Sequence, residues 1–313
     1  MTRRYADALA FPFPQANIMK KEGLVVDRTA ALDLCQITGV PPFLQRINDI
    51  LPAQLWFGEV MKRPENAGLA CVFGLQHPPE DATIDDLQRL REAGVRFTTI
   101  AYEGCNRFGG GFAEPDAPLT REGQEFLDML AQIGIVLDLS HAGFRTAREV
   151  LSYITRRQLP LKVVATHTAS YSQYGHLRNL PDDILRGIQA RGGFVGLVMM
   201  TWMLHESDNT ATPFYEHLKA LVNLLGHEHV GIGSDAVYQR LDPTLEERLF
   251  IELDRAVDPR KKFKARFPTI SPSLNSPDRL RTVENELIMR GWGEKAITAI
   301  VGGTVGRFLS ELV

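Results

Sequence analysis

From about residue 69 onward the chain alternates short apolar, often β-branched runs with longer amphipathic stretches, the pattern of repeated βα units around a parallel sheet. The predicted strands are Leu69–Leu75, Val95–Ala101, Ile135–Leu139, Lys162–Thr166, Gly193–Met199 and Val230–Gly233. Most are near-continuously hydrophobic, as strands covered on both faces are. Helix starts fall between them: Thr83 before IDDLQRLREAG, Thr120 before REGQEFLDML, and Pro181-Asp182-Asp183 opening a helix that stops at Gly192. A candidate earlier strand at Leu24–Asp27 makes seven, one short of a closed eight-stranded barrel. Between Asp27 and Leu69 the stretch VPPFLQRINDILPAQLWFGEVMKR reads as helix and turn.

The pattern predicts an α/β fold, a (β/α)8 TIM-type barrel with a divergent N-terminal region and a long loop after the last strand. One domain is expected over residues 1–313: a divergent N-terminal region over residues 1–68, a barrel core over 69–235, a lid-like loop over 236–277 rich in charges and prolines, and C-terminal helices over 278–313. A loop that follows a barrel strand lies on the catalytic face.

Bulk properties narrow the partners. A 313-residue chain that is 44% hydrophobic can bury one large barrel core, and its formal charge of −3, with Lys and Arg spread along the length, leaves no footprint for nucleic acid or an anionic membrane. MTRRYADALAFPFPQ has a basic start but is broken by Pro12 and Pro14, so it reads as no secretory signal, and no run approaches the ~20 apolar residues of a membrane span. Cys35, Cys71 and Cys105 are odd in number and lack CxxC spacing, which argues against a disulfide framework or a cysteine zinc knuckle. The expected location is cytoplasmic. An uncovered barrel edge would invite a homodimer contact or a partner subunit.

Polar residues that end barrel strands converge on one mouth. IVLDLSH places His141 just past a strand, VVATH places His167 at the end of the next, and VGIGSD places Asp235 at the end of the last. Two imidazoles and a carboxylate suit zinc, although single strand-end histidines also serve as hydrogen-bonded loop residues. Asp235 reads either as a general base or metal ligand, or as a turn former. Arg178, in the HLRN loop after His167, has the fork to clamp a carboxylate, its alternative being a solvated loop arginine. Gly109-Gly110-Gly111 lacks the spacing of a phosphate-cradling loop and reads as a flexible active-site loop. His227 and His229 approach the last strand from the opposite end and read as structural.

The segments LDLSH, ATHTASY, HLRNLPDDIL, RGGFVGL and GHEHVGIGSD, in this order and spacing, resemble the renal or membrane dipeptidase family of zinc peptidases over residues 69–313. That resemblance implies an amidohydrolase-like barrel that hydrolyses dipeptides with two zinc ions bridged by a carboxylate. It puts His141 and His167 on the histidines of the second zinc site, Arg178 on the substrate-carboxylate clamp and Asp235 on the acid that handles the attacking water or the amine. His176, Gln76 and Asn106 join Arg178 as expected substrate-binding residues.

Departures matter equally. Gln76 in FGLQHP stands where the family has its bridging glutamate, and glutamine offers no anionic bridge. The family's first-strand Asp-x-His-x-Asp is matched locally by VVDRTAA, with Thr29 and Ala31 in place of His and Asp. Tyr102 stands where a histidine contacts the tetrahedral intermediate, and its phenol can still donate to an oxyanion. These replacements imply a bacterial branch of the family. They point to a dipeptidase-like metallohydrolase for a small amide with a free carboxylate, holding one zinc or none. The alternative is a non-hydrolytic homologue that binds or modifies an amino-acid-derived ligand or peptide in a biosynthetic pathway.

Overall fold

The computed structural model describes residues 5–11, 23–27, 30–38, 40, 44–258 and 260–312. Among these residues nine strands form one parallel sheet: β1 (Ala6–Phe11), β2 (Leu34–Ile37), β3 (Ala70–Leu75), β4 (Val95–Thr99), β5 (Val136–Asp138), β6 (Val163–Thr168), β7 (Val195–Leu197), β8 (Val230–Ile232) and β9 (Ala236–Val237). Their order is β8-β7-β6-β5-β4-β3-β2-β1-β9. β8 and β9 are two halves of one stretch. The first half pairs with β7 (Val195 opposite Val230) and the second with β1 (Ala10 opposite Ala236), so residues 230–237 cross the seam and join the ends of the sheet. The result is the eight-membered α/β barrel expected from the βα repeat.

Helices α1 (Ile47–Met61), α2 (Ile84–Glu92), α3 (Arg121–Ile133), α4 (Phe144–Arg157), α5 (Asp182–Ala190), α6 (Thr201–Leu204), α7 (Thr212–Leu225), α8 (Pro243–Val257), α9 (Arg279–Met289), α10 (Glu294–Thr298) and α11 (Thr304–Ser310) follow or separate the strands. Thr83 caps α2 through a reciprocal capping box with Asp86, and Thr120 caps α3 by accepting from the Gly123 amide. Gly134 ends α3 at φ 78°, a left-handed position that suits glycine. The apolar faces of α2 to α5 and α7 bury Leu87, Leu90, Phe126, Leu130, Ile154, Ile184 and Leu218 in the main core.

The N-terminal region departs from expectation. Leu24–Asp27 forms no strand and pairs with none of the described strands; its backbone is held instead by Asn66, whose Oδ1 accepts from Val26 N at 2.8 Å and whose Nδ2 donates to Leu24 O at 3.2 Å. The missing strands are β1, inside the segment read only as a broken signal, and β2, inside the segment read as helix and turn. Both carry a buried polar residue, Asp7 and Gln36, in a short run, which hides them from a hydrophobicity pattern. The first strand of the barrel is thus β1, with Asp7, Leu9 and Phe11 at alternate positions, and not the VVDRTAA segment. Thr29 itself lies outside the described residues, and Ala31 is a buried residue whose amide donates to Pro277 O. Residues 236–277, expected as a loop, contain β9 and the fifteen-residue α8. The barrel edge expected to need a partner is covered by β9 of the same chain.

Candidate active site

β5 and β6 end side by side, and this brings their histidines together. His141 Nε2 lies 2.9 Å from His167 Nε2, with both rings buried. Behind them Asp138, on β5, accepts from the Ser140 amide and hydroxyl (3.0 and 2.6 Å), from the Thr166 amide (3.0 Å) and from the Thr166 hydroxyl. The Thr166 hydroxyl, having given its one proton to Asp138, accepts from Nδ1 of His167 at 2.8 Å. The tautomer of His167 follows: Nδ1 carries the proton and Nε2 faces His141 bare. Burial, and then the Arg178 charge, hold both imidazoles well below the usual histidine range, so both are neutral.

Arg178 reaches the same point from the loop after β6. Its Nη1 donates to Ser140 O and its Nη2 lies 3.2 Å from His141 Nε2, while its Nε is buried without a partner. Burial lowers the guanidinium to about 10, with Asp235 opposing that fall, so it remains charged at neutral pH. Tyr102 lies between two rings, 4.1 Å from His141 in a stacked arrangement and 4.6 Å from His77. Burial pushes its phenol up, and the negative charge of Asp235 adds to this, so it stays a proton donor.

Asp235 sits in the gap between β8 and β9 with φ 54°, a left-handed conformation uncommon outside glycine, and its amide donates to Leu9 O at 2.9 Å. The approach to it depends on Gly233, where a Cβ would come within 1.7 Å of Thr166 O. Burial raises the Asp235 carboxyl to about 6; Arg178 pulls it down, and Asp7 and Asp138 add to the rise. Asp235, Arg178, Tyr102, His141 and Gln76 all line one cavity of about 470 Å³ at the carboxyl ends of the strands.

The other expected residues lie elsewhere. His167 is behind His141 and does not line the cavity. His176 spends both nitrogens inside the protein, Nε2 on Phe263 O at 3.1 Å and Nδ1 accepting from the Arg178 amide at 3.2 Å, so it braces the arginine loop. Asn106 shapes the triglycine loop: its Oδ1 accepts from Phe108 N and Gly109 N and its Nδ2 donates to Ile100 O. His227 and His229 lie in a short helical turn before β8, where His229 Nδ1 meets Gly193 O at 2.8 Å. Sequence reasoning passed over Asp138 and Thr166, which set the histidines, and Phe263, whose ring faces Tyr102 at 5.7 Å from the long segment after β9. Asp138 and Thr166 stand within LDLSH and VVATH, so the signal was a polar residue inside an apolar strand.

The residues do not fit a two-zinc centre. Two imidazole nitrogens face each other, but a catalytic zinc takes three protein ligands. Among the described residues no group of three His, Cys, Asp or Glu side chains is arranged to hold a metal ion. The Arg178 cation also stands at Nε2 of His141, the nitrogen turned toward His167.

A family model described as membrane dipeptidase (peptidase family M19) matches residues 52–246. Dipeptidase 3 of Rattus norvegicus is 25% identical over 256 residues, covering 78% of this chain and 45% of its own length. Dipeptidase verJ of Clonostachys rogersoniana is 27% identical over 205 residues, covering 64% and 51%. The chain thus spans about half the length of these curated relatives. Among solved structures, an amidohydrolase from Pseudomonas aeruginosa superposes with TM-score 0.77 at 20% identity, covering 99% of this chain and 96% of that one. A metallopeptidase from Rhodobacter sphaeroides, liganded with a phosphinate mimic of the dipeptide L-Ala-D-Ala, superposes with TM-score 0.72 at 18% identity over the full length of both. These superpositions show the shared fold. No helix among the described residues is long and apolar enough to cross a membrane.

Proposed function

The chain belongs to the membrane dipeptidase family, peptidase family M19, and from that premise we propose that it is a hydrolase of a dipeptide or similar small amide with a free carboxylate, working without a two-zinc centre. The observation that carries this reading is the shared cavity of Arg178, Asp235 and Tyr102, with a carboxyl near pKa 6 beside a buried guanidinium. Arg178 has five N–H donors, of which one goes to Ser140 O, and those that remain can meet a substrate carboxylate. Asp235, ionised above about pH 6, takes a proton from water as its oxygen bonds to the amide carbon, and returns that proton to the amine as the C–N bond breaks. The Tyr102 hydroxyl and the Gln76 amide supply donors to the developing oxyanion. His141 backs the Tyr102 ring and the guanidinium, and His167 backs His141.

A panel of dipeptides, both configurations at the carboxyl-terminal residue, tests the reading, with zinc measured by elemental analysis before and after metal addition. Turnover by protein with fewer than two zinc ions per chain, lost in Asp235→Asn, is the expected result. No turnover under any metal condition overturns it.

A second reading is favoured by the contact between Arg178 and His141: the pocket has become a binding site in a non-hydrolytic homologue that holds or modifies an amino-acid-derived ligand. Ligand binding that survives His141→Ala in metal-free protein, without hydrolysis, selects this reading.

A further inference from the structure

α8 is unlike the other long helices of the barrel. α3, α4, α5 and α7 each bury several side chains, whereas none of the described side chains of α8 is buried. Its residues Glu246, Leu249, Phe250, Leu253 and Asp254 fall at helical spacing on one face, and that face lines the cavity that holds Arg178 and Asp235. The ends of the face are polar and already paired: Asn275 donates to Glu246 at 2.7 Å, and Lys261 pairs with Asp254. Its middle is apolar, and Leu253 is 39% exposed. Met200, Trp202 and Ile270 line the same space, so Arg178 and Asp235 share one cavity with an extended apolar lining, here called the sleeve.

A helix of this length gains most of its stability by covering an apolar face. Here that face meets open cavity. Polar groups line the same cavity, Gln76, Arg178 and Asp235 from the barrel strands and loops, and Gln239 and Arg240 from the segment that leads into α8.

We propose that the sleeve takes a large apolar arm, acyl or aryl, on the amide side of the substrate, so that the protein prefers amides of hydrophobic groups over small polar dipeptides. This rests on the reading of Arg178 as the carboxylate clamp. The arm lies along Leu249, Phe250 and Leu253 and completes the packing of α8.

The test uses N-alkanesulfonyl-alanines of both configurations, methanesulfonyl to decanesulfonyl, in which a sulfonamide replaces the scissile amide. Their Kd values are measured by calorimetry on the full chain. At ~0.8 kcal/mol per buried methylene, Kd should fall up to about fourfold with each added carbon until the sleeve is full. Leu253→Asn, at an exposed position, and Leu249→Asn should flatten that dependence while leaving the methanesulfonyl compound unchanged. Arg178→Gln should weaken every member of the series alike. A series with no chain-length dependence, bound through Arg178, overturns the sleeve and leaves the clamp standing. A series that binds equally well to Arg178→Gln, or does not bind at all, overturns the clamp and the sleeve with it.

Discussion

Nε2 of His141 and Nε2 of His167 face each other 2.9 Å apart, the second held bare by the chain Asp138–Thr166–Nδ1 and the first approached by the Arg178 guanidinium. Burial keeps both rings neutral, so the pair carries no proton-linked charge near pH 7. Nitrogen-15 NMR of ring-labelled protein should show neither ring titrating between about pH 5 and 8. A midpoint near 6.5 for either would contradict the geometry.

On the proposed mechanism Asp235 sets the pH dependence of turnover. Its carboxyl is raised to about 6, so the ionised base is lost below that value and kcat/KM should climb through about pH 6 to a plateau. Asp235→Asn should lower kcat by about 10²-fold or more and remove the limb. The stability sign runs the other way: a carboxyl whose folded pKa is raised contributes stability that is complete below its unfolded value and is lost as pH rises through about 6. The asparagine variant should therefore melt higher than the parent at pH 7.5 and not at pH 3.5. Equal melting shifts at both values would rule out the carboxyl as the cause.

Asp7 tunes that base from the barrel interior. It accepts from Leu9 N at 3.0 Å, Ser234 N at 2.9 Å and the Tyr238 hydroxyl at 2.8 Å, and its charge raises Asp235. Asp7→Ala strands three buried donors and should cost roughly 3 kcal/mol in denaturant unfolding. Asp7→Asn keeps an acceptor for the amides but removes the charge, so the acidic limb of the rate profile should move to lower pH. A limb that stays in place would show that Asp7 acts on packing alone.

Gly233→Ala drives a Cβ toward Thr166 O, a backbone atom that cannot swing aside. The expected result is a loss of several kcal/mol of stability or no folded protein, read by thermal melting. By contrast, Gly192→Ala meets no atom within 4 Å and carries only the strain of φ 73°. A tolerated Gly233→Ala would mean that β6 and the last strand are further apart than described.

The features that the chain announced were those with local causes. Thr83, Thr120 and Pro181 mark helix starts because capping is a matter of three or four neighbouring residues. His141, His167 and Asp235 were visible because a polar residue at the end of an apolar run is conspicuous. β1 was hidden because its polar residue, Asp7, finds its partners Ser234 and Tyr238 at the far end of the chain. β2 was hidden likewise by buried Gln36 in a four-residue run. Asn106 and His176 were expected at the substrate, but their side chains bond to backbone atoms whose positions only the folded loops define. No local pattern shows that α8 stands over open space instead of core.

The break between β8 and β9 makes the barrel seam and the placement of Asp235 one structural event. The amide of Ser234 reaches Asp7 across 227 residues of sequence, and the amide of Asp235 reaches Leu9 beside it. The contacts that join the ends of the sheet are therefore the ones that aim the carboxyl, and a change that loosens the seam loosens Asp235 with it.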